Sequence, residues 1–266
     1  MSRYATMFDA LAARGDGAFG AFVMLGDPDL ATSAALLDAL VAGGADMVEV
    51  GIPFSDPVAD GPVIQAAARR ALEAGVRVED CFELIAGFRA RHAAVPVGIL
   101  TYANLVMARG RTTFMRDAAA AGTDSLLVAD VPAIEAAPWA AEMLEAGIEP
   151  VLIAAANTPP EALRTVARLS RAYTYCVSRA GITGVHAEAR FDPGLAVRVR
   201  NAGGPPPVFG FGIARPEHVR GALAAGAAGV ISGSAIVALG AGDAPAARIS
   251  EFVAGMKAAT LSAVRK

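Results

Sequence analysis

One unit recurs along the chain: an alanine-rich helical stretch, a glycine, then a short apolar run. It reads LVAGGADMVEV, AAAAGTDSLLVAD, LEAGIEPVLIAA and LAAGAAGVISG. In each copy the glycine stands where a helix ends in a left-handed residue, the conformation glycine adopts at least cost. The apolar run that follows is too continuous for a strand with one face in water. It suits a strand of a parallel sheet, buried on both faces. Further runs of this kind at 19–24, 95–102, 172–178 and 207–211 bring the expected strands to eight, with helical stretches between them. Eight β/α units in 266 residues point to an α/β chain folded as one closed (β/α)8 TIM barrel over residues 1–266. A doubly wound open sheet is the alternative. Neither a composition shift nor a long linker divides the chain.

Composition narrows the class. Hydrophobic residues reach 55% while aromatics stay at 6%, as expected for small side chains packed between helices and a parallel sheet. A net charge of −3 gives no electrostatic case for nucleic acid. No uninterrupted apolar run approaches the roughly 20 residues of a membrane span, and the charged first segment lacks a signal-peptide core. Cys81 and Cys176 lie in apolar segments and read as buried free thiols of a reducing compartment, so a cytoplasmic location is expected.

The chemistry concentrates in VEVGIPFSDPVADGPVIQ, residues 48–65. Glu49 sits inside an apolar strand and Asp60 in the Pro-, Gly- and Asp-rich loop that follows. Barrel enzymes present an acid/base pair in this way, at the C-terminal ends of their strands. The competing reading is an outward strand Glu paired with a helix cation, and an Asp that only shapes a turn. Two strand-to-helix connections, 53–61 and 178–191, are long, polar and glycine-containing, as covering loops are. Strands seven and eight run into FGFGIARPEHV and GVISGSAIV, where barrels often bind phosphate. Gly212, Gly233 and Ser234 offer backbone N–H groups there, SAIVALG can be the short helix facing the anion, and Gly184 in RAGITG can add a donor.

Other patterns are weaker. His92, His186 and His218 lack metal-ligand spacing, and no metal site is expected. His92 and His218 read as solvated helix residues and His186 as loop surface. The glycine patterns match neither a P-loop nor a dinucleotide fingerprint. Tyr173 and Tyr175 share a strand face, and either can be core or touch a substrate.

Taken together, VEVGIPFSDPVADGPVIQ, LTYANLV, LLVADVP, YCVSRAGITG, GFGI and GVISGSAIV resemble the tryptophan synthase alpha chain family, in register from about Phe19 to the C-terminal MKAAT. The resemblance implies the barrel and the cleavage of indole-3-glycerol phosphate to indole and glyceraldehyde 3-phosphate. It implies Glu49 and Asp60 as the catalytic pair. It implies an indole pocket of Phe22, Leu100, Leu127, Ala129, Ile153, Phe211 and Ile231, with Tyr175 and Thr183 at substrate and lid positions, and a phosphate site of Gly184, Gly212, Gly233 and Ser234. It implies a beta-chain partner in an alpha2–beta2 heterotetramer, with pyridoxal phosphate in the beta chain and no cofactor in this one. Asp56, Pro57, Tyr102 and Asn104 are the expected partner-facing residues. Two departures stand out: Thr101 replaces a usually apolar residue, and the lid after Gly184 reads VHAEAR. A stand-alone lyase, an inactive barrel that activates a beta chain, and another sugar-phosphate barrel enzyme remain as alternatives.

Overall fold

The structure, a computed structural model, describes residues 1–177 and 191–261. Among these, nine short parallel strands form a single sheet: β1 (Ala18–Met24), β2 (Met47–Gly51), β3 (Val97–Thr101), β4 (Ser125–Val128), β5 (Glu149–Pro150), β6 (Leu152–Ala155), β7 (Thr174–Val177), β8 (Pro207–Phe209) and β9 (Gly229–Ser232). Their order is β5-β4-β3-β2-β1-β9-β8-β7-β6. The two end strands are consecutive, separated only by Val151, so the sheet closes on itself as a (β/α)8 TIM barrel. The expected fifth strand is thus broken in two. Pro150 has no N–H to continue a ladder. Glu149 and Pro150 pair with β4, and the Val151 N–H still donates to the Leu126 carbonyl at 3.0 Å; on the other side the Pro150 carbonyl accepts from the Arg171 N–H at 2.9 Å, and Leu152–Ala155 pair with β7.

Helices cover the outside in chain order: α1 (Arg3–Ala12), α2 (Leu30–Ala42), α3 (Pro62–Glu73), α4 (Val78–Arg91), α5 (Ala103–Arg109), α6 (Arg111–Ala120), α7 (Ala136–Glu145), α8 (Pro160–Leu169), α9 (Pro193–Asn201), α10 (Pro216–Ala224), α11 (Ser234–Gly240) and α12 (Pro245–Ala258). The four unit glycines do end helices in the left-handed region: Gly44, Gly122, Gly147 and Gly226 have φ of 94°, 93°, 81° and 91°.

Strand alternation sorts the side chains into two cores. Val48, Val50, Val97 and Ile99 face the helix layer, while Phe22, Met24, Met47, Leu127, Tyr175 and Ile231 fill the barrel. Thr101 shares the parity of Val97 and Ile99. It is wholly buried, its hydroxyl has no partner, and it stands apart from the pocket. The N-terminal end of the barrel is closed by α1, whose Tyr4, Phe8 and Leu11 join the interior core. The Tyr4 hydroxyl lies 3.0 Å from Ser125 Oγ. No helix of the described residues is long and apolar enough to cross a membrane.

The histidines differ from expectation. His92 caps α4 and its Nε2 lies 2.8 Å from Asp38 Oδ1, so it is partly buried and hydrogen-bonded rather than freely solvated. His218 is half-buried in the first turn of α10 and bonded to the loop before it. His186 lies outside the described residues.

Candidate active site

Glu49 occupies the middle of β2 with the same parity as Met47, so it points into the barrel. It is 3% exposed, above an aromatic floor: the Tyr4 and Tyr173 rings lie 5.5 Å apart, and the Tyr173 hydroxyl donates to Glu49 Oε1 at 2.9 Å. Burial pushes the Glu49 carboxyl up to about 7, against the opposing pull of that hydrogen bond.

Asp60 ends the loop between β2 and α3. It too is buried, and burial raises its carboxyl to about 6, opposed by a hydrogen bond from the Tyr102 hydroxyl. Tyr102 is the anchor of this loop. Its hydroxyl also accepts from the Ala59 N–H at 3.3 Å, and its ring packs on Phe54 with centroids 5.5 Å apart. Gln65 on α3 reaches back and donates to the Asp60 carbonyl at 2.7 Å. Among the described residues no cation pairs with either carboxylate, so the ion-pair explanation of Glu49 and Asp60 has no support in the geometry.

Both acids open into one cleft of about 830 Å³, its mouth included. Phe22, Leu100, Leu127, Ala129, Ile153, Tyr175 and Ile231 line it, together with Phe211, Gly212, Gly233 and Ser234. Every substrate-contact residue expected from the sequence that lies among the described residues is therefore on this one surface. Thr183 and Gly184 fall outside them, as does the 178–191 loop apart from Phe191. The structure adds Ala59, Ile64, Ile213, Ala214 and Ala235 to the lining. One end is apolar; the other is formed by the loop after β8 and the first turn of α11, where helix N–H groups lack intrahelical acceptors.

The loop after β8 begins earlier than the sequence suggests. The strand stops at Phe209, and Phe211 has φ 35°, a left-handed conformation that is strained for an aromatic residue. Tyr175 holds this bend: its hydroxyl accepts the Phe211 N–H, and its ring meets Phe211 edge-on at 6.1 Å.

The expected partner-facing residues separate. Asp56 and Asn104 are exposed and Pro57 is half-buried. Tyr102 is only 3% exposed and turns inward to Asp60, because its hydroxyl satisfies two groups of the catalytic loop. Sequence reasoning missed this role for Tyr102. It also left open the role of Tyr173, since both bonds join residues distant in sequence.

Comparisons with known proteins agree with this geometry. A profile of the tryptophan synthase alpha chain family matches residues 8–260. The tryptophan synthase alpha chain of Aeromonas hydrophila subsp. hydrophila is 50% identical over 266 residues, covering 98% of this chain and 99% of that protein. That of Shewanella amazonensis is 51% identical over 238 residues, covering 89% and 90%. Among solved structures, Mycobacterium tuberculosis tryptophan synthase superposes with a TM-score of 0.89 at 33% identity, covering 98% of this chain and 99% of that one. With a family profile spanning nearly the whole barrel and relatives at half identity, the chain belongs to the tryptophan synthase alpha chain family, the indole-3-glycerol phosphate lyase component of that enzyme.

Proposed function

We propose that Glu49 and Asp60 carry out the retro-aldol cleavage of indole-3-glycerol phosphate in this cleft. The observation that supports it is two buried carboxylates with no cationic partner among the described residues, raised to about 7 and 6, in an apolar cleft whose far end is rich in backbone donors. The bond between indole C3 and the glycerol chain breaks only after C3 is protonated. Glu49, neutral in its buried site, gives that proton. Positive charge then develops at the indole nitrogen, whose N–H the ionised Asp60 accepts. Glu49, now a carboxylate, takes the proton from the adjacent glycerol hydroxyl. The C–C electrons return to the ring, the aldehyde forms, and Glu49 is again the acid. Phe22, Leu100, Leu127, Ala129, Ile153, Phe211 and Ile231 enclose the indole, with Tyr175 beside them. Gly212, Gly233 and Ser234 donate to the phosphate, joined by Gly184, with Thr183 at the lid.

The phosphate assignment is open to a clean test. A Cβ added at Gly233 would come no closer than 3.6 Å to Phe22, so Gly233→Asp introduces charge where there is room for the new side chain. It is expected to raise KM for indole-3-glycerol phosphate tenfold or more by like-charge repulsion; an unchanged KM places the phosphate elsewhere.

Exposed apolar side chains stand on the segments that follow three successive strands at the mouth of the barrel: Val58 after β2 (72% exposed), Met107 on α5 after β3 (56%) and Ile134 after β4 (86%). Such a patch marks a protein interface. It fits a tryptophan synthase beta chain, docked in an alpha2–beta2 assembly that holds pyridoxal phosphate in the beta subunit, with Asp56, Pro57 and Asn104 on the same face. The barrel is taken as one domain over residues 1–266, working in the cytoplasm, where buried free Cys81 and Cys176 stay reduced.

The patch adjoins the loop that carries Asp60, so docking orders that loop and sets the carboxylate in place. The isolated chain is expected to release indole slowly and to be activated severalfold or more by a beta chain, mainly in kcat. Asp56→Ala, which removes the acceptor of the Ser55 hydroxyl on the exposed arm of the loop, should reduce that stimulation and spare the slow rate. Equal losses in both states would show that the loop is simply damaged. An isolated chain as fast as the complex would favour the stand-alone lyase.

A further inference from the structure

We propose that His218 is a positioning residue for phosphate binding: it fixes the loop between β8 and α10 so that the Gly212 and Ile213 N–H groups remain free for the substrate phosphate. This rests on the phosphate reading above. The backbone from Gly210 to Ala214 is pinned at each side of that pair. The Gly210 N–H donates to the Cys176 carbonyl at 3.1 Å, and the Phe211 N–H to the Tyr175 hydroxyl. The Ile213 carbonyl accepts from Ser232 Oγ at 2.6 Å, with Ser232 wholly buried in β9. The Ala214 N–H donates to His218 Nδ1 at 3.2 Å.

Between these ties, the N–H groups of Gly212 (φ 80°) and Ile213 meet no acceptor among the described residues, and both residues line the cleft. Successive free N–H groups in a turn form an anion-binding concavity. The strained φ of Phe211 persists only where the surroundings over-determine it. His218 is the outermost of the ties and the one that closes the loop on the helix side.

Arg215 Nη2 also lies 3.1 Å from His218 Nε2, and a neutral imidazole has a single acceptor nitrogen. The Ala214 N–H is held by the backbone and has no other partner among the described residues, whereas exposed Arg215 has water. We therefore assign Nδ1 as the acceptor. His218→Leu leaves the Ala214 N–H unpaired and lets the loop relax. His218→Asn places an amide oxygen near the position of Nδ1.

The test titrates the full chain with sn-glycerol 3-phosphate, the phosphate half of the proposed substrate, alongside steady-state kinetics and thermal melts. His218→Leu should weaken glycerol 3-phosphate binding roughly five- to tenfold, the loss of about one hydrogen bond. It should raise KM for indole-3-glycerol phosphate to match, with kcat within about twofold. His218→Asn should recover most of the affinity. A His218→Leu chain that melts earlier but binds the probe as well as wild type shows a helix-capping role only and overturns the proposal. So does weakened binding that His218→Asn fails to restore. Gly233→Asp serves as control: if it binds the probe like wild type, the phosphate reading itself falls and takes the proposal with it.

Discussion

Glu49→Gln is expected to abolish lyase turnover while making the folded chain more stable above pH 7. The loss follows from the double role. One side chain must give a proton to C3 and then take one from the hydroxyl, and an amide does neither. A single general acid–base contributes roughly 10²–10⁴-fold, so the variant should fall by at least about 10⁴. The gain follows from burial. In the unfolded chain Glu49 ionises near its ordinary value; in the fold it keeps its proton until about 7. Below the unfolded value both states are protonated and burial of this group carries no penalty. As pH rises from there toward 7, the unfolded chain releases a proton the native state retains, and stability falls. Above 7 the penalty levels off at about 3 kcal/mol. Gln never ionises and its Oε1 can still accept from Tyr173, so urea unfolding should show the variant ahead by a few kcal/mol at pH 8 and level with wild type near pH 4. Retention of more than about a tenth of wild-type kcat removes Glu49 from the chemistry. Equal stability at pH 8 means that the carboxylate is not desolvated.

Asp60→Asn should cost roughly 10²–10³-fold in kcat, because an amide cannot offer negative charge to a ring nitrogen becoming cationic, and a preorganised electrostatic contact of this kind is worth a few kcal/mol. The Tyr102 hydroxyl still has an acceptor in the amide oxygen, so the loop should hold. The pair also sets a pH window for the wild type. Asp60 must be ionised, which fails as pH drops through about 6; Glu49 must be protonated, which fails as pH rises through about 7. A bell-shaped kcat/KM with limbs near these values is expected for the free chain. Intact kcat with a raised KM in Asp60→Asn would make Asp60 a binding residue instead.

Much of this was legible in the sequence, for local reasons. Helix-end glycines and two-sided apolar runs encode β/α units, and eight units in 266 residues leave little but a barrel. Parity within MVEVG puts Glu49 on the Met47 face, and the loops after the last two strands are where barrels hold phosphate. What was not legible is pairwise and distant. The Glu49–Tyr173 bond spans 124 positions, and no spacing rule reaches that far. Tyr102 adjoins the exposed Asn104, so neighbourhood suggested a shared surface; its hydroxyl instead turns inward, where Asp60 and the Ala59 N–H need a partner. The barrel floor could have been read from Tyr4, Phe8 and Leu11, which lie on one side of a helical turn. Pro150 likewise announces the break in the fifth strand. Phe211 gave no such warning. Its left-handed backbone is imposed by Tyr175 and by the loop's other ties, a tertiary effect that residue type argues against.

The most direct test of the account is a single-turnover assay. Excess full chain is mixed with indole-3-glycerol phosphate at pH 6.5, about midway between the two carboxyl values, with and without a beta chain, and indole release is followed for wild type, Glu49→Gln and Asp60→Asn. About one indole per substrate is expected from wild type, released faster with the beta chain, and almost none from either variant on the same timescale. Indole release by Glu49→Gln at the wild-type rate, or none by wild type in either condition, would contradict it.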